Sequence, residues 1–424
     1  MNDPKPDIEI WGSSVAAGAG DELELGGYAG RLARRLEPAG WHLENHSLGG
    51  DNTSSLALRF APQESSYVLI GLSLGNEGIS QSELARTHRW SESDEEADET
   101  FEQFASGLQN LVDRCTDAGA TAIIAMPYAR SDFSPQEYAH TIQMILLINS
   151  WNAPSINMLG AIDDGQGRWA EGFWADPFHP NSAGHTELCH AFVPSLFDAL
   201  VSNKPPPFRI KSSGLKIGDQ HSPPLVFSVD GAMRSFSLSF RLRAQGEGNV
   251  AAIECRALDT KSIVVHRAWE EWQWDSDTLE MRPSEERLEA RISIQADRIA
   301  YISSQGETVT AAKTATGEDW RDITLTHYVA RGETLLYVDS ELIGRVNERL
   351  QPESFTLGCN SATSEFRDWM VHRAGLTRAE VSELHSGQLL QASLELYAPL
   401  GEESESAVKN FAQSLATIKK TPRR

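Results

Sequence analysis

The apolar positions follow two different rhythms along this chain. In the first 200 residues, short apolar runs alternate with segments of helical spacing. Residues 8–11 read as a short strand. Residues 28–36 (YAGRLARRL) place Leu32 and Leu36 on one helix face and arginines on the other. The run 67–72 (YVLIGL) is continuously apolar, as a strand covered on both faces must be. Residues 101–115 predict a helix with Phe104, Leu108, Leu111 and Val112 inward. Residues 121–125 (TAIIA) predict another buried strand, 155–159 a weaker one, and 181–200 a closing helix with Ser182 near its start. Strands alternating with helices predict a parallel sheet with helices on both faces.

The rhythm changes after 202–208 (SNKPPPF), where three consecutive prolines cannot continue a helix and favour an extended spacer. Residues 235–243 (SFSLSFRLR) then alternate strictly, with Phe236, Leu238, Phe240 and Leu242 on one face. Further short strands are expected at 263–265, 290–294, 323–328, 335–338 and 355–357, and one helix near 377–385. Many short alternating strands without intervening helices predict an antiparallel sandwich. The expected organisation is a three-layer α/β domain over 1–203, a Pro-rich linker at 204–208, an all-β sandwich over 209–398, and a charged, loosely ordered tail over 399–424.

Charge narrows the partners. A net charge of −23 repels phosphate backbones and anionic lipid, so neither nucleic acid nor a membrane surface is expected. No run approaches the roughly 18 apolar residues needed to span a bilayer. No basic segment followed by an apolar core is visible at the start, so the expected compartment is the cytoplasm, or a secreted or periplasmic site if a leader was trimmed. Cys115, Cys189, Cys255 and Cys359 lack metal-ligand spacing. One disulfide per half is open to them, with buried thiols the preferred reading. The acidic stretch 92–99 suits a helix N-terminus better than a metal site.

Ester cleavage at neutral pH requires an activated nucleophile, a base and oxyanion donors. The first strand ends in Trp11-Gly12-Ser13-Ser14, which puts a serine just past a strand's C-terminal end, where open α/β sheets bind ligands. An ordinary Gly/Ser loop would look the same. Asp176-Pro177-Phe178-His179 sets a carboxylate three residues before a histidine. There it can orient the ring, or merely cap the following helix. Asn45-His46-Ser47-Leu48-Gly49-Gly50-Asp51-Asn52 follows the second strand, and Leu72-Ser73-Leu74-Gly75-Asn76-Glu77-Gly78 the third. Both offer N–H donors.

Taken in order, these four segments resemble blocks I, II, III and V of the SGNH (GDSL-type) hydrolases, over about residues 7–200. The resemblance implies a flavodoxin-like fold, Ser14 as nucleophile, Asp176 and His179 completing a triad, and an oxyanion hole from the Ser14 and Gly50 N–H groups and the Asn76 side chain. It implies no metal or organic cofactor. Ser13 stands where the family has aspartate, Leu74 where block III has glycine, and Glu77 where it has aspartate. His46, His88, His140 and His185 are expected to be surface or packing residues.

Trp320-Arg321-Asp322-Ile323-Thr324-Leu325, Leu336-Tyr337-Val338-Asp339-Ser340-Glu341-Leu342 and Phe366-Arg367-Asp368-Trp369-Met370-Val371-His372-Arg373, followed by Leu376-Thr377 and Glu380-Val381, resemble a laminin-G-like, concanavalin A-like jelly roll. Such domains often bind glycans. Trp269, Trp272 and Trp274 are candidates for a sugar platform, Trp272 and Trp274 on one strand face, with core or inter-domain packing the alternative reading. The fold also admits calcium, with no residue set here identifying a site. The leading expectation is a carbohydrate esterase that removes acetyl groups from a glycan. A lipid or small-acyl esterase and a catalytically silent binding module are the alternatives. The substrate is then a small-molecule or glycan ester, and the oligomeric state is open.

Overall fold

The computed structural model describes residues 5–64, 66–87, 89–217, 223–244, 246–269, 272–295, 298–312, 319–359, 364–401 and 408–420. The chain divides into two compact units. One comprises residues 1–191 with 260–280, the other residues 192–259 with 281–424.

In the first unit, β1 (Ile8–Gly12), β2 (Leu43–Asn45), β3 (Tyr67–Gly71), β4 (Thr121–Ala125) and β5 (Ser155–Ile156) form a parallel sheet of order β2-β1-β3-β4-β5. β1 and β3 are buried at every position, as expected for strands covered on both faces. The covering helices are α1 (Ser14–Ala17), α2 (Gly27–Leu36), α3 (Thr53–Arg59), α4 (Leu74–Glu77), α5 (Asp94–Asp117), α6 (Pro135–Ser150), α7 (Leu159–Ile162) and α8 (Ser182–His190). α2 buries Leu32 and Leu36 as its spacing requires. α5 starts earlier than expected because Ser93 caps it and Asp94, Glu95 and Glu96 sit on the positive end of its dipole, which accounts for the acidic stretch. The predicted closing helix is two pieces. Asn181 is the N-cap of α8 rather than its first residue, and Pro194 separates α8 from α9 (Leu196–Val201), since proline cannot sit in a helix interior. α6, which the apolar pattern left unread, carries a Ser134–Glu137 capping box with Pro135 at its first position.

Apart from residues 260–269 of β11 and 272–280 of β12, which belong to the first unit, the second unit is built from β8 (Leu215–Ile217), β9 (Leu225–Ser228), β10 (Phe236–Ala244), β11 (Gly248–Trp269), β12 (Trp272–Pro283), β13 (Leu288–Gln295), β14 (Arg298–Ile302), β15 (Thr308–Ala312), β16 (Arg321–Tyr328), β17 (Glu333–Val338), β18 (Glu341–Asn347), β19 (Leu350–Leu357), β20 (Ser364–His372), α10 (Arg378–Ser386), β21 (Leu394–Ala398) and β22 (Ile418–Lys420). Two antiparallel sheets, of order β18-β17-β16-β10-β20-β21 and β15-β14-β13-β11-β19-β9-β22, enclose a core in which Phe236, Leu238 and Phe240 meet Ile253, Ile292 and Phe355. The strict alternation of β10 predicts one apolar and one wet face. Ser237 and Ser239 are nevertheless buried, because Val381 and Leu384 of α10 join Tyr328, Tyr337 and Met370 in a second cluster. The Ser237 hydroxyl donates to the Ala374 carbonyl and accepts from the Leu376 N–H.

The described residues 408–420 of the charged tail also depart from expectation. The Asn410 side chain accepts from the Tyr397 and Ala412 N–H groups and donates to the Glu395 and Ala416 carbonyls, and β22 pairs with β9. One amide that completes four backbone hydrogen bonds gives this segment a fixed place despite its polar composition. None of the four cysteines forms a disulfide, and burial pushes the Cys115, Cys255 and Cys359 thiols up to about 12. Among the described residues, no helix is long and apolar enough to cross a membrane.

Among the described residues, His185, His327 and His372 are fully buried, which favours their neutral rings. His185 Nε2 donates to the Ala19 carbonyl and its Nδ1 accepts from the Tyr28 N–H, so a second ring proton would face a donor. Burial depresses His185 and His372 to about 4 and His327 to about 3. Between the ordinary histidine range and these values the unfolded chain binds more protons, so stability falls as pH falls. The loss per ring grows by about 1.4 kcal/mol for each pH unit below the ordinary histidine range, until the buried ring itself is protonated. The raised carboxyls of Asp322, Glu348 and Asp368 oppose this. A melting temperature that drops from pH 7 to pH 5 is expected, and one that holds or rises refutes the account.

Candidate active site

The strand order changes direction between β1 and β3, and ligands in open α/β sheets bind beyond the C-terminal edge at such a point. Ser14 opens α1 directly after β1, residues 46–52 follow β2, and α4 follows β3. The topology therefore gathers three of the four segments at one edge. The fourth arrives on a two-stranded ribbon, β6 (Trp174–Asp176) and β7 (His179–Pro180), where Asp176 pairs with His179. Gly20 holds this ribbon against the loop after α1. It lies at φ +88°, and a Cβ there would stand 2.2 Å from the Pro180 carbonyl oxygen and 3.0 Å from the His179 Cβ.

Ser14 Oγ is 3.0 Å from His179 Nε2, and His179 Nδ1 is 2.9 and 3.0 Å from the two Asp176 oxygens. Two acceptor-only oxygens beside Nδ1 assign the ring proton there, leaving Nε2 to accept from the serine hydroxyl. Asp176 Oδ1 also accepts from the Phe178 and His179 N–H groups. Burial works to raise the Asp176 pKa, but His179 and these two amides outweigh it and hold the carboxyl below its usual range. Asp176 thus orients the ring and does not cap α8, a task that falls to Asn181.

The segment after β2 lies beside Ser14, and Asn76 of the segment after β3 reaches it at Asp51. The Leu48 N–H donates to the Gly12 carbonyl, and the Asn45 amide donates to the Ala16 carbonyl. Gly49 lies against the Ser14 Cβ, and Gly50 follows at φ +81°. The Asn76 amide donates to the Asp51 carbonyl at 3.1 Å, joining the two segments one residue beyond Gly50. The departures at block III have physical counterparts. Leu74 is core, and Glu77 accepts from the Thr53 N–H at 3.0 Å and its hydroxyl at 2.5 Å, which fixes the start of α3. Ser13 is fully buried, with its N–H on the Gly71 carbonyl.

Other residues of the site carry no signal in local spacing. Asp21 accepts from Arg31, the Ser182 hydroxyl and the Gly27 N–H. Burial alone would raise its pKa, and these donors hold it well below the carboxylate range. Asp21 so ties the loop after α1 to the helix that follows His179. Arg130 donates to the Asn76 oxygen from 54 residues away. His46 stacks on Trp11, His140 pairs with Asp98 and His185 is core, whereas His88 lies outside the described residues. Trp272 and Trp274 fall on β12, and their side chains, like that of Trp269, lie outside the described residues. Among the described residues, Asp322, Asp339 and His385 form the one cluster with metal-ligand proximity. Arg241 and His385 already engage Asp322, and Arg321 engages Asp339, so it is a charge network.

Residues 10–186 match the GDSL-like lipase/acylhydrolase family. No curated protein matches the chain. Similar solved structures include a catalytic mutant of an acetylxylan esterase (Axe2) from Geobacillus stearothermophilus, 15% identical over 45% of this chain and 94% of its own, with a TM-score of 0.35. They also include TesA, 18% identical over 44% of this chain and 94% of its own, TM-score 0.32. A third is the binding domain of botulinum neurotoxin DC in complex with SialylT, 12% identical over 42% of each chain, TM-score 0.27. The match over residues 10–186 makes this part of the chain a GDSL-like lipase/acylhydrolase domain, a serine ester hydrolase.

Proposed function

We infer that Ser14 is the nucleophile of this hydrolase, His179 its general base and Asp176 the group that orients the ring. The observation that carries the reading is the continuous contact from Ser14 Oγ through His179 to Asp176, at 3.0 and 2.9 Å. In this mechanism Nε2 takes the serine proton as Oγ attacks an ester carbonyl. The Ser14 and Gly50 N–H groups and the Asn76 side chain stabilise the oxyanion. Protonated His179 then gives its proton to the leaving alcohol. Water then gives a proton to His179 as it attacks the acyl carbonyl, and His179 returns that proton to Ser14 Oγ as the acyl–Oγ bond breaks and the acid leaves.

The substrate proposed is an acetylated carbohydrate. An exposed indole supports this choice: Trp174, 41% exposed, stands on the same short ribbon as Asp176 and His179. A flat aromatic face beside a reacting centre can stack on a sugar ring. The β-sandwich in the same chain is the proposed accessory glycan-binding module, over the proposed span 209–398. Trp174→Ala should raise KM for an acetylated oligosaccharide by about 10-fold, the equivalent of one lost stacking contact. It should leave p-nitrophenyl acetate within about 2-fold. Equal losses on both substrates, or nitrophenyl ester activity that climbs with acyl chain length, would replace this reading with the lipid or small-acyl esterase.

A further inference from the structure

The Asn76 side chain can serve an oxyanion only if its NH2, and not its oxygen, faces the reacting centre. The two ends of an amide are nearly equal in size, so packing does not choose between them and hydrogen bonds must. Here both ends are specified. The Asp51 carbonyl, which can only accept, lies 3.1 Å from Nδ2. Arg130 Nη1, which can only donate, lies 3.2 Å from Oδ1.

Arg130 is itself immobilised. Its Nε and Nη2 bind the two oxygens of Asp132 at 2.7 and 2.9 Å, and the side chains of this pair are 3% and 0% exposed. The guanidinium lies 4.8 Å from the ring centre of Phe178, the residue before His179, and 5.6 Å from that of Phe133. It also rests directly on Gly75, where a Cβ would stand 2.1 Å from Nη1. This explains why a glycine immediately precedes Asn76 although block III of the resembled family places its glycine one position earlier: the space is filled by Arg130.

We propose that Arg130, locked by Asp132 and seated on Gly75, is a positioning residue that sets the orientation of the Asn76 amide and polarises its N–H toward the oxyanion. The proposal rests on the esterase reading. A cationic donor on the amide oxygen strengthens the N–H on the other side of the same conjugated group. The oxyanion exists only in the transition state and the intermediate, so the effect falls on kcat rather than KM.

The test is a double-mutant cycle on the full chain with p-nitrophenyl acetate. Removing Arg130 alone would strand the buried Asp132 charge and endanger the fold. The variant is therefore Arg130→Met with Asp132→Asn, checked by circular dichroism, and Gly75→Ala is an independent way to displace the guanidinium. Asn76→Ala should lower kcat by about 10²–10³-fold. The Arg130→Met/Asp132→Asn protein and Gly75→Ala should each lower kcat by roughly 10–100-fold with KM within about 3-fold. In the Asn76→Ala background, both should cost less than about 3-fold more. Full losses in that background, or losses confined to KM, overturn the role of Arg130. Ser14→Ala in the same series separates the two readings. If it retains activity, the esterase assignment falls and takes the proposal with it. If it is inactive while the cycle is additive, only the Arg130 proposal falls.

Discussion

Replacing Ser14 by alanine should lower kcat/KM for a simple nitrophenyl ester by on the order of 10⁴-fold or more, with the fold unchanged. Ser14 is half-buried at the first position of a one-turn helix, and its hydroxyl meets only His179 Nε2 among the described polar contacts. Its loss therefore removes the nucleophile without leaving a deeply buried partner unsatisfied. The same residue should be the point of attachment of a fluorophosphonate. One adduct by intact mass on the wild type, and none on Ser14→Ala, is the expected result. A folded wild type that takes no adduct would favour a silent binding module.

Asp176→Asn should be nearly as damaging, at about 10⁴-fold in kcat, while conserving the structure of the ribbon. An asparagine oxygen can still accept from the Phe178 and His179 N–H groups that Asp176 now engages. Its NH2 would then face His179 Nδ1 and draw the ring proton to Nε2. That tautomer presents a donor to Ser14, which can no longer hand over its proton. The pH behaviour follows from the same contacts. Because the Asp176 carboxyl is held below its usual range, its charge is present above the ordinary aspartate range and is lost only as pH falls through that lower value. Protonation of Asp176 therefore should not limit activity at mildly acidic pH. An Asp176→Asn enzyme with more than about a tenth of wild-type kcat would remove this carboxylate from the mechanism.

Much of the architecture was legible in hydrophobic period alone. The buried runs at β3 and β4, the helical stripe of α2 and the alternation of β10 each expose a single burial demand that one element type can meet. Where the period failed, a local signal had priority. Pro194 divides the closing helix, Ser93 starts α5 earlier than its apolar residues do, and α6 is announced by its Ser134–Glu137 capping box more than by its apolar pattern. The tail shows the opposite limit. Its composition reads as unstructured, yet Asn410 alone supplies four backbone hydrogen bonds to the segments around it.

The sequence by itself offered Ser14, Gly50, Asn76, Asp176 and His179 as candidates for acyl chemistry, because they lie in short segments placed just past strands or before a helix, and because the order of those segments resembles the SGNH blocks. Strand-end placement is a property of local chain order, and local order is what a linear pattern records. Only the tertiary structure decided how these groups face one another. The meeting of Ser14 with His179 across 165 residues, the pairing of Asn76 with Arg130 across 54, and the tie from Asp21 to Ser182 across 161 all depend on strand order and loop packing. Such contacts leave no periodic trace in the chain. Their partners are chosen by complementary donors and acceptors brought together in space, and a residue like Arg130 acquires its role only when Gly75, Asp132 and Asn76 arrive around it.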